Sequence, residues 1–231
     1  MKLSLVIPCY NEAENLPLLI DRCTLLSQGD DVEVIFVNNG STDNTKDVLK
    51  NLVLNNSSFR IVTVETNQGY GFGVLSGLRS ATGDVLAWTH ADMQTDPCDV
   101  IAGLELFKNQ GIDTFVKGRR YGRPLMDVLF TIGMSVFETL LLNKVMWDIN
   151  AQPTMFSKEF FDGLENPPND FSLDLYVYYQ AKRSHLNIQR FPVLFGSRAY
   201  GVSHWNVNFA SKWKFIKRTI EFSLQLRRKL N

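Results

Sequence analysis

Short apolar runs and amphipathic stretches take turns along the first half of the chain. Residues 3–7 (Leu-Ser-Leu-Val-Ile) predict a strand that Pro8 ends, since a proline ring has no N–H for a ladder. Residues 12–26 have helical spacing, with Leu16, Leu19, Ile20 and Cys23 on one face. Residues 32–37 predict a second strand and Asn39-Gly40-Ser41 a turn, with Ser41 or Thr42 placed to cap a helix that ends near Asn55. Residues 60–65 predict a third strand, 69–81 a glycine-rich helix entry that Gly83 closes, and 85–89 a fourth strand. Pro97 opens the next helix and residues 113–116 predict a fifth strand. The second half is less regular. A long helix is expected from about 123 to 146, another over 170–182, a strand over 187–193, and then a basic, aromatic tail.

Strand–helix alternation of this kind predicts an α/β fold, a mostly parallel central sheet with helices on both faces. Ligands of such sheets bind beyond the carboxyl ends of the strands. Four expected strands run into polar or glycine clusters: Tyr10-Asn11-Glu12, Asn38-Asn39-Gly40, Asn67-Gln68-Gly69 and His90-Ala91-Asp92. The clusters are therefore expected on one rim, and that rim is the expected site.

Composition narrows the picture. With 231 residues the chain is long enough for one large α/β domain, and its 24 basic residues balance 24 acidic ones, so no nucleic-acid partner is expected. Residues 205–231 hold seven Lys or Arg and one acid, Glu221. They read either as a basic amphipathic helix for a membrane surface or as a helix packed on the core with its lysines in solvent. Cys9, Cys23 and Cys98 show no CxxC spacing, so neither a disulfide framework nor a zinc site is expected and a reducing compartment fits. No signal peptide is expected. The most apolar stretch, residues 125–147, is interrupted by Asp127, Glu138, Asn143 and Lys144, so no transmembrane helix is expected.

The candidate chemistry centres on His90-Ala91-Asp92-Met93-Gln94. In an extended segment His90, Asp92 and Gln94 point the same way, and an imidazole, a carboxylate and an amide oxygen can hold a divalent cation that in turn holds phosphate oxygens. The same five residues also read as a solvated turn, with Asp96 capping the next helix.

The surrounding motifs decide between these readings. Val6-Ile7-Pro8-Cys9-Tyr10-Asn11-Glu12, Val37-Asn38-Asn39-Gly40-Ser41-Thr42-Asp43, Asn67-Gln68-Gly69-Tyr70-Gly71 and Ala81-Thr82-Gly83-Asp84 precede the His90 segment in that order. Together the five resemble family 2 glycosyltransferases of the GT-A, Rossmann-like nucleotide-sugar-binding fold, and most of all the polyprenyl-phosphate sugar synthases. The resemblance is strong over residues 1–120 and looser to about Trp205. It implies a nucleotide-sugar pocket formed by Pro8, Tyr10, Glu12, Asn39, Asn67, Gly69, Gly71, Ala91 and Asp92, with Asp92, Gln94 and His90 at a manganese or magnesium ion. Two positions depart from the family pattern: His90 stands where an Asp is usual, and Asn38 and Asn39 stand where an Asp often precedes the glycine. Neutral histidine is a poor magnesium ligand, so manganese becomes the better expectation.

The resemblance also places arginines on the acceptor phosphate. Arg119, Arg120 and Arg198 are the candidates, with Ser203 beside them, because the guanidinium fork pairs with phosphate oxygens. A hydroxyl acceptor needs a base, whereas a phosphate acceptor is already ionised. Asp170 and Asp174 are the candidate bases, although Asp170, following Pro167-Pro168, reads first as a helix N-cap.

The expected protein is thus an inverting, metal-dependent hexosyltransferase that moves a sugar from a nucleoside-diphosphate sugar to a polyprenyl phosphate or a glycan hydroxyl of the cell envelope. A nucleotidyltransferase is disfavoured, because Pro8-Cys9-Tyr10-Asn11-Glu12 stands where a glycine-rich loop with a basic residue belongs. A non-catalytic nucleotide-sugar-binding relative or partner subunit remains the alternative. Residues 1–204 are expected to form the GT-A domain (1–120 nucleotide-sugar part, 121–204 acceptor side), with 205–231 as an extension. The expected location is cytoplasmic, peripheral at the inner face of the membrane.

Overall fold

A computed structural model describes residues 1–28, 31–54, 56–200 and 209–228, with the side chains of 209–215 set aside. The order is β1 (Leu3–Cys9), α1 (Leu16–Leu26), β2 (Val32–Asn39), α2 (Thr45–Val53), β3 (Phe59–Val64), α3 (Tyr70–Ser80), β4 (Val85–Trp88), α4 (Asp99–Gln110), β5 (Thr114–Tyr121), α5 (Leu125–Leu142), β6 (Thr154–Ser157), α6 (Lys158–Asp162), α7 (Leu173–Arg183), β7 (Asn187–Leu194) and α8 (Phe209–Arg228).

The strands form a seven-stranded sheet in the order β3-β2-β1-β4-β6-β5-β7. All neighbours are parallel except at β6, which runs antiparallel between β4 and β5. One apolar cluster packs α1, α2 and α4 on one face, and a second packs α3 and α7 on the other. The mostly parallel, helix-covered sheet therefore matches the fold expected from the alternation.

The differences from the sequence reading have local causes. The first helix starts at Leu16, because residues 12–15 turn before it. Ser41 and Thr42 do not cap α2. They brace the turn after β1, where the Asn11 amide donates to Ser41 Oγ (3.1 Å) and the Thr42 amide donates to Asn11 Oδ1 (2.8 Å). β5 runs on to Tyr121, so Arg119 and Arg120 are strand residues paired with β7. β6 and α6 were not anticipated: four residues show no usable alternation, and only the edges of β4 and β5 dictate their strand.

One helix bears on the expectation of no transmembrane helix, since the interruptions read in the sequence do not all fall within it. Asn143 ends α5 in a left-handed conformation (φ 50°), so Asn143 and Lys144 fall outside the helix. The remaining 18 residues are long and apolar enough to cross a membrane by length and composition, and only 17% of them are buried. Leu125, Met126, Leu129, Val136 and Leu140 are each more than half exposed. The buried residues of α5 are Ser135, Leu142 and one acid, Glu138. Glu138 is fully buried, accepts a hydrogen bond from Ser223 Oγ (2.7 Å) of α8, and burial pushes its carboxyl up to about 7. Arg227 of α8 also donates to the Leu141 carbonyl. The described part of the basic tail thus packs on α5, with Ser223 and Leu226 buried and Lys217, Arg227 and Arg228 exposed.

At the amino ends of the strands, Glu33 of β2 ties three segments together. It accepts from Ser4 Oγ (2.5 Å) of β1, from Thr82 N and Oγ1 (2.6 and 2.7 Å), and from Arg60 (3.1 Å) of β3. Burial alone would raise this carboxyl, but the bonds outweigh it and bring it from 4.5 to about 2. A depressed carboxyl stabilises the fold above its unfolded value and loses that contribution as pH falls towards the folded one. The wild type is expected to lose stability between about pH 4.5 and 2, and Glu33→Gln, less stable at neutral pH, to lose less across that window; urea unfolding over the pH series measures both.

Candidate functional site

The strand ends converge as the alternation predicts. Asp92, two residues beyond His90, is 6% exposed, and its Oδ1 accepts the Gln94 amide (3.2 Å) while its Oδ2 pairs with Arg198 (3.0 Å). Met93 takes φ 58°, an uncommon conformation for a residue with a side chain, and so bends the chain between Asp92 and Gln94. The Gln94 side chain donates to the Gly196 carbonyl (3.2 Å), and Gly196 N donates back to the Gln94 carbonyl (2.8 Å). The His90 ring lies 5.5 Å from that of Tyr70, which stacks on Phe171 at 4.7 Å. Ala91 is buried in the core.

Glu12 stands opposite. Burial raises its carboxyl and the Asp92 charge adds to the rise, while a hydrogen bond from Asn15 and the Arg198 guanidinium oppose it. Pro8 does not end β1 as expected: the strand runs on through it to Cys9 in register with β2, and Tyr10 is 38% exposed at the rim beyond. Asn39 is buried at the end of β2, with its Nδ2 on the Gly69 carbonyl (3.0 Å). Asn67 is exposed and accepts the Gly69 amide (2.8 Å).

The glycines of this rim also serve packing. A Cβ on Gly71 would lie 2.6 Å from the carbonyls of Pro168 and Asp170, and Gly69, at φ 108°, would meet the Asn169 carbonyl at the same distance. These two positions let the start of α3 lie against the turn that opens α7, so the donor rim and the second half of the chain meet here.

A metal ion fits this donor set in one way. Among the described residues no group of three or more His, Cys, Asp and Glu side chains is placed to hold one. Asp92, with Gln94 and His90 next to it in the chain, is the candidate ligand set, so an ion here would take most of its ligands from a diphosphate and water. Magnesium and manganese sites beside phosphates are commonly of that kind.

The acceptor-side candidates are dispersed. Arg119 is exposed. Arg120 binds the buried Asp148 (2.5 Å) and lies over the Phe195 ring, and Arg123, which was not a candidate, joins Asp148 at 3.7 Å. Arg198 belongs to the donor rim, bonded to Asp92. Asp170 accepts the Ser172 amide (2.9 Å) and lies 3.5 Å from Arg218. Asp174 is 3% exposed, accepts from Gln152 Nε2 (2.8 Å), and lies 3.7 Å from Lys117, itself fully buried and bonded to Thr154 (2.6 Å). Burial lowers the Lys117 amine to about 8 against the opposing pull of Asp174. Ser203 lies outside the described residues.

The model of glycosyl transferase family 2 matches residues 4–162. The chain belongs to that family. The dolichol-phosphate mannosyltransferase of Pyrococcus furiosus is 30% identical over 212 residues, which cover 88% of this chain and 59% of that protein. The undecaprenyl-phosphate 4-deoxy-4-formamido-L-arabinose transferase of Yersinia pestis is 37% identical over 105 residues, 43% of this chain and 31% of that protein. The chain thus spans about a third to three fifths of the length of these relatives. Among solved structures, glucosyl-3-phosphoglycerate synthase from Mycobacterium tuberculosis, in complex with Mn2+, UDP and glucosyl-3-phosphoglycerate, superposes with a TM-score of 0.70 at 19% identity, over 98% of this chain and 79% of that one. A mannosyltransferase from Pyrobaculum calidifontis, in complex with GDP-Man and Mn2+, gives 0.64 at 19% identity, over 87% and 58%. The fold is the family's GT-A arrangement.

Within that family fold, the residues missed from sequence are those that pair across it. Lys117 had a readable signal: a lysine inside the apolar run Thr-Phe-Val-Lys-Gly demands a buried counter-ion. Removing one partner of a buried pair leaves the other uncompensated. Asp174→Ala is therefore expected to cost about 3–5 kcal/mol in urea unfolding. An unchanged midpoint would show that Lys117 has no need of it.

Proposed function

We propose that this chain is an inverting glycosyltransferase that passes a sugar from a nucleoside-diphosphate sugar to a polyprenyl phosphate. The observation that carries the donor half is the meeting of Asp92, Glu12 and Arg198 at a rim where four parallel strands end. A diphosphate needs cationic and N–H partners, and Arg198 supplies a guanidinium there. Asp92, with Gln94 and His90 beside it, would hold a divalent metal, manganese in preference to magnesium. That ion would neutralise charge on the leaving diphosphate. The relatives and solved neighbours that carry polyprenyl-phosphate, UDP or GDP-Man in their names support this reading.

The acceptor oxygen attacks the anomeric carbon in line as the nucleoside diphosphate leaves. A phosphate acceptor favours this site over a hydroxyl because the two candidate bases are engaged. Asp174 is sealed by Gln152 and Lys117, and Asp170 is shared between the Ser172 amide and Arg218. A pocket of about 50 Å³ opens beside α5, where Arg120, Ser135 and Asn150 offer polar groups to a phosphate and Phe130, Met134 and Ile149 an apolar wall to what it carries. The exposed apolar face of α5 beside it suits the prenyl chain or the membrane that carries it, which supports a peripheral location at a membrane surface.

The test is transfer from UDP-, GDP- and dTDP-sugars to a short polyprenyl phosphate in detergent, with manganese or magnesium. One donor is expected to give product, and Asp92→Ala to lower its rate by about 10²–10³. No turnover or hydrolysis with any donor, alongside intact nucleotide binding, would favour a non-catalytic relative. Product on a glycan hydroxyl alone would move the acceptor away from lipid phosphate.

A further inference from the structure

Asn15 is the N-cap residue of α1, yet its side chain caps nothing. An asparagine in that place ordinarily accepts the amide of the second or third helical residue. Here the second is Pro17, which has no N–H to give. The side chain, 3% exposed, is turned to other work. Its Oδ1 accepts the Tyr200 amide (3.1 Å), and its Nδ2 donates to the Tyr200 carbonyl (3.4 Å) and to Glu12 Oε2 (2.6 Å). The side chain thus meets the Tyr200 backbone as a neighbouring strand would, with donor and acceptor together.

The far end of the same segment is held in the same manner. Phe195 N donates to the Tyr121 carbonyl (2.9 Å), and Gly196 exchanges two hydrogen bonds with Gln94, at 2.8 and 3.2 Å. Between these fixed ends Arg198 reaches Asp92 at 3.0 Å. Residues 195–200 form a strap across the donor rim, with Gln94 as one clip and Asn15 as the other.

We propose that Asn15 is a positioning residue that clips this strap, so that Arg198 stays over the donor rim and the Glu12 carboxylate is held by the same amide. It acts through Arg198 and Glu12. The kinetic part of the proposal rests on the glycosyltransferase reading, while the clip does not.

Hydrogen exchange on the substrate-free protein tests the clip directly. In Asn15→Ala the amides of residues 196–200 are expected to exchange about tenfold faster or more, as a bonded anchor is lost, while the strands keep their protection. Titration with UDP and with GDP, each with Mn2+, is expected to weaken about tenfold for the nucleotide that binds. In turnover the loss should fall on donor KM, with kcat little changed, whereas a merely structural role would lower stability and active fraction without moving KM. Acting through Arg198 means that Asn15→Ala adds less than about twofold to Arg198→Ala, against independent sites whose effects multiply. Should Asn15→Ala fail to fold, Asn15→Ser keeps a polar side chain without placing a new charge beside Glu12, and a smaller change of the same sign is expected. Unchanged exchange at 196–200, or multiplying effects, would overturn the proposal. Faster exchange with weaker nucleotide binding but no sugar transfer would sink the transferase reading and leave the clip standing.

Discussion

A parallel sheet brings the carboxyl ends of its strands to one rim, and the last peptide groups there have no ladder partners. Everything functional in this chain answers that constraint. Asn11 and Ser41 tie the turn after β1 to the turn after β2, Asn39 takes the Gly69 carbonyl, and Gln94 takes Gly196. The side chains that satisfy backbone are the short amides and hydroxyls of the loops. This leaves Asp92, Glu12 and Arg198 to set the charge of the rim.

How much of this was legible depends on the range of the interaction. The parallel half of the sheet could be read because each strand carries its own apolar run and each helix its own period. The rim could be read because polar clusters follow those runs directly in the chain. β6 could not, since Thr-Met-Phe-Ser becomes a strand only between β4 and β5. The same limit applies to side chains. Asp92 is visible as a carboxylate after a strand, but its partner Arg198 is 106 positions away. Asp174 was singled out as an acid beside an apolar helix, and its occupation by Lys117 and Gln152 is a tertiary fact. Arg120 was read as free to grip phosphate, although Asp148, in an unremarkable loop, already binds it.

The second half of the chain has ion pairs on buried carboxylates of its own, as the first half has Glu33 with Arg60. Lys117 with Asp174, and Arg120 and Arg123 with Asp148, form two ionic clusters there. Pairs of this sort add little net stability but punish any wrong packing, because each partner alone would be a bare charge in a poor solvent. Arg120 also lines the pocket that holds Ser135, Asn150 and Ser172, so its guanidinium is fixed in direction there by Asp148.

Glu138 sets a condition on the apolar helix that carries it. α5 shows bare hydrocarbon over most of its surface, and its one buried acid is hidden only because Ser223 of α8 faces it. Peeling α8 away would strip that carboxyl of its Ser223 partner and of the cover that raises it, and leave an acid bare in the middle of the apolar face. The two helices are therefore one amphiphile rather than two. The basic residues exposed on α8 travel with the greasy face of α5, and a bilayer would meet both at once.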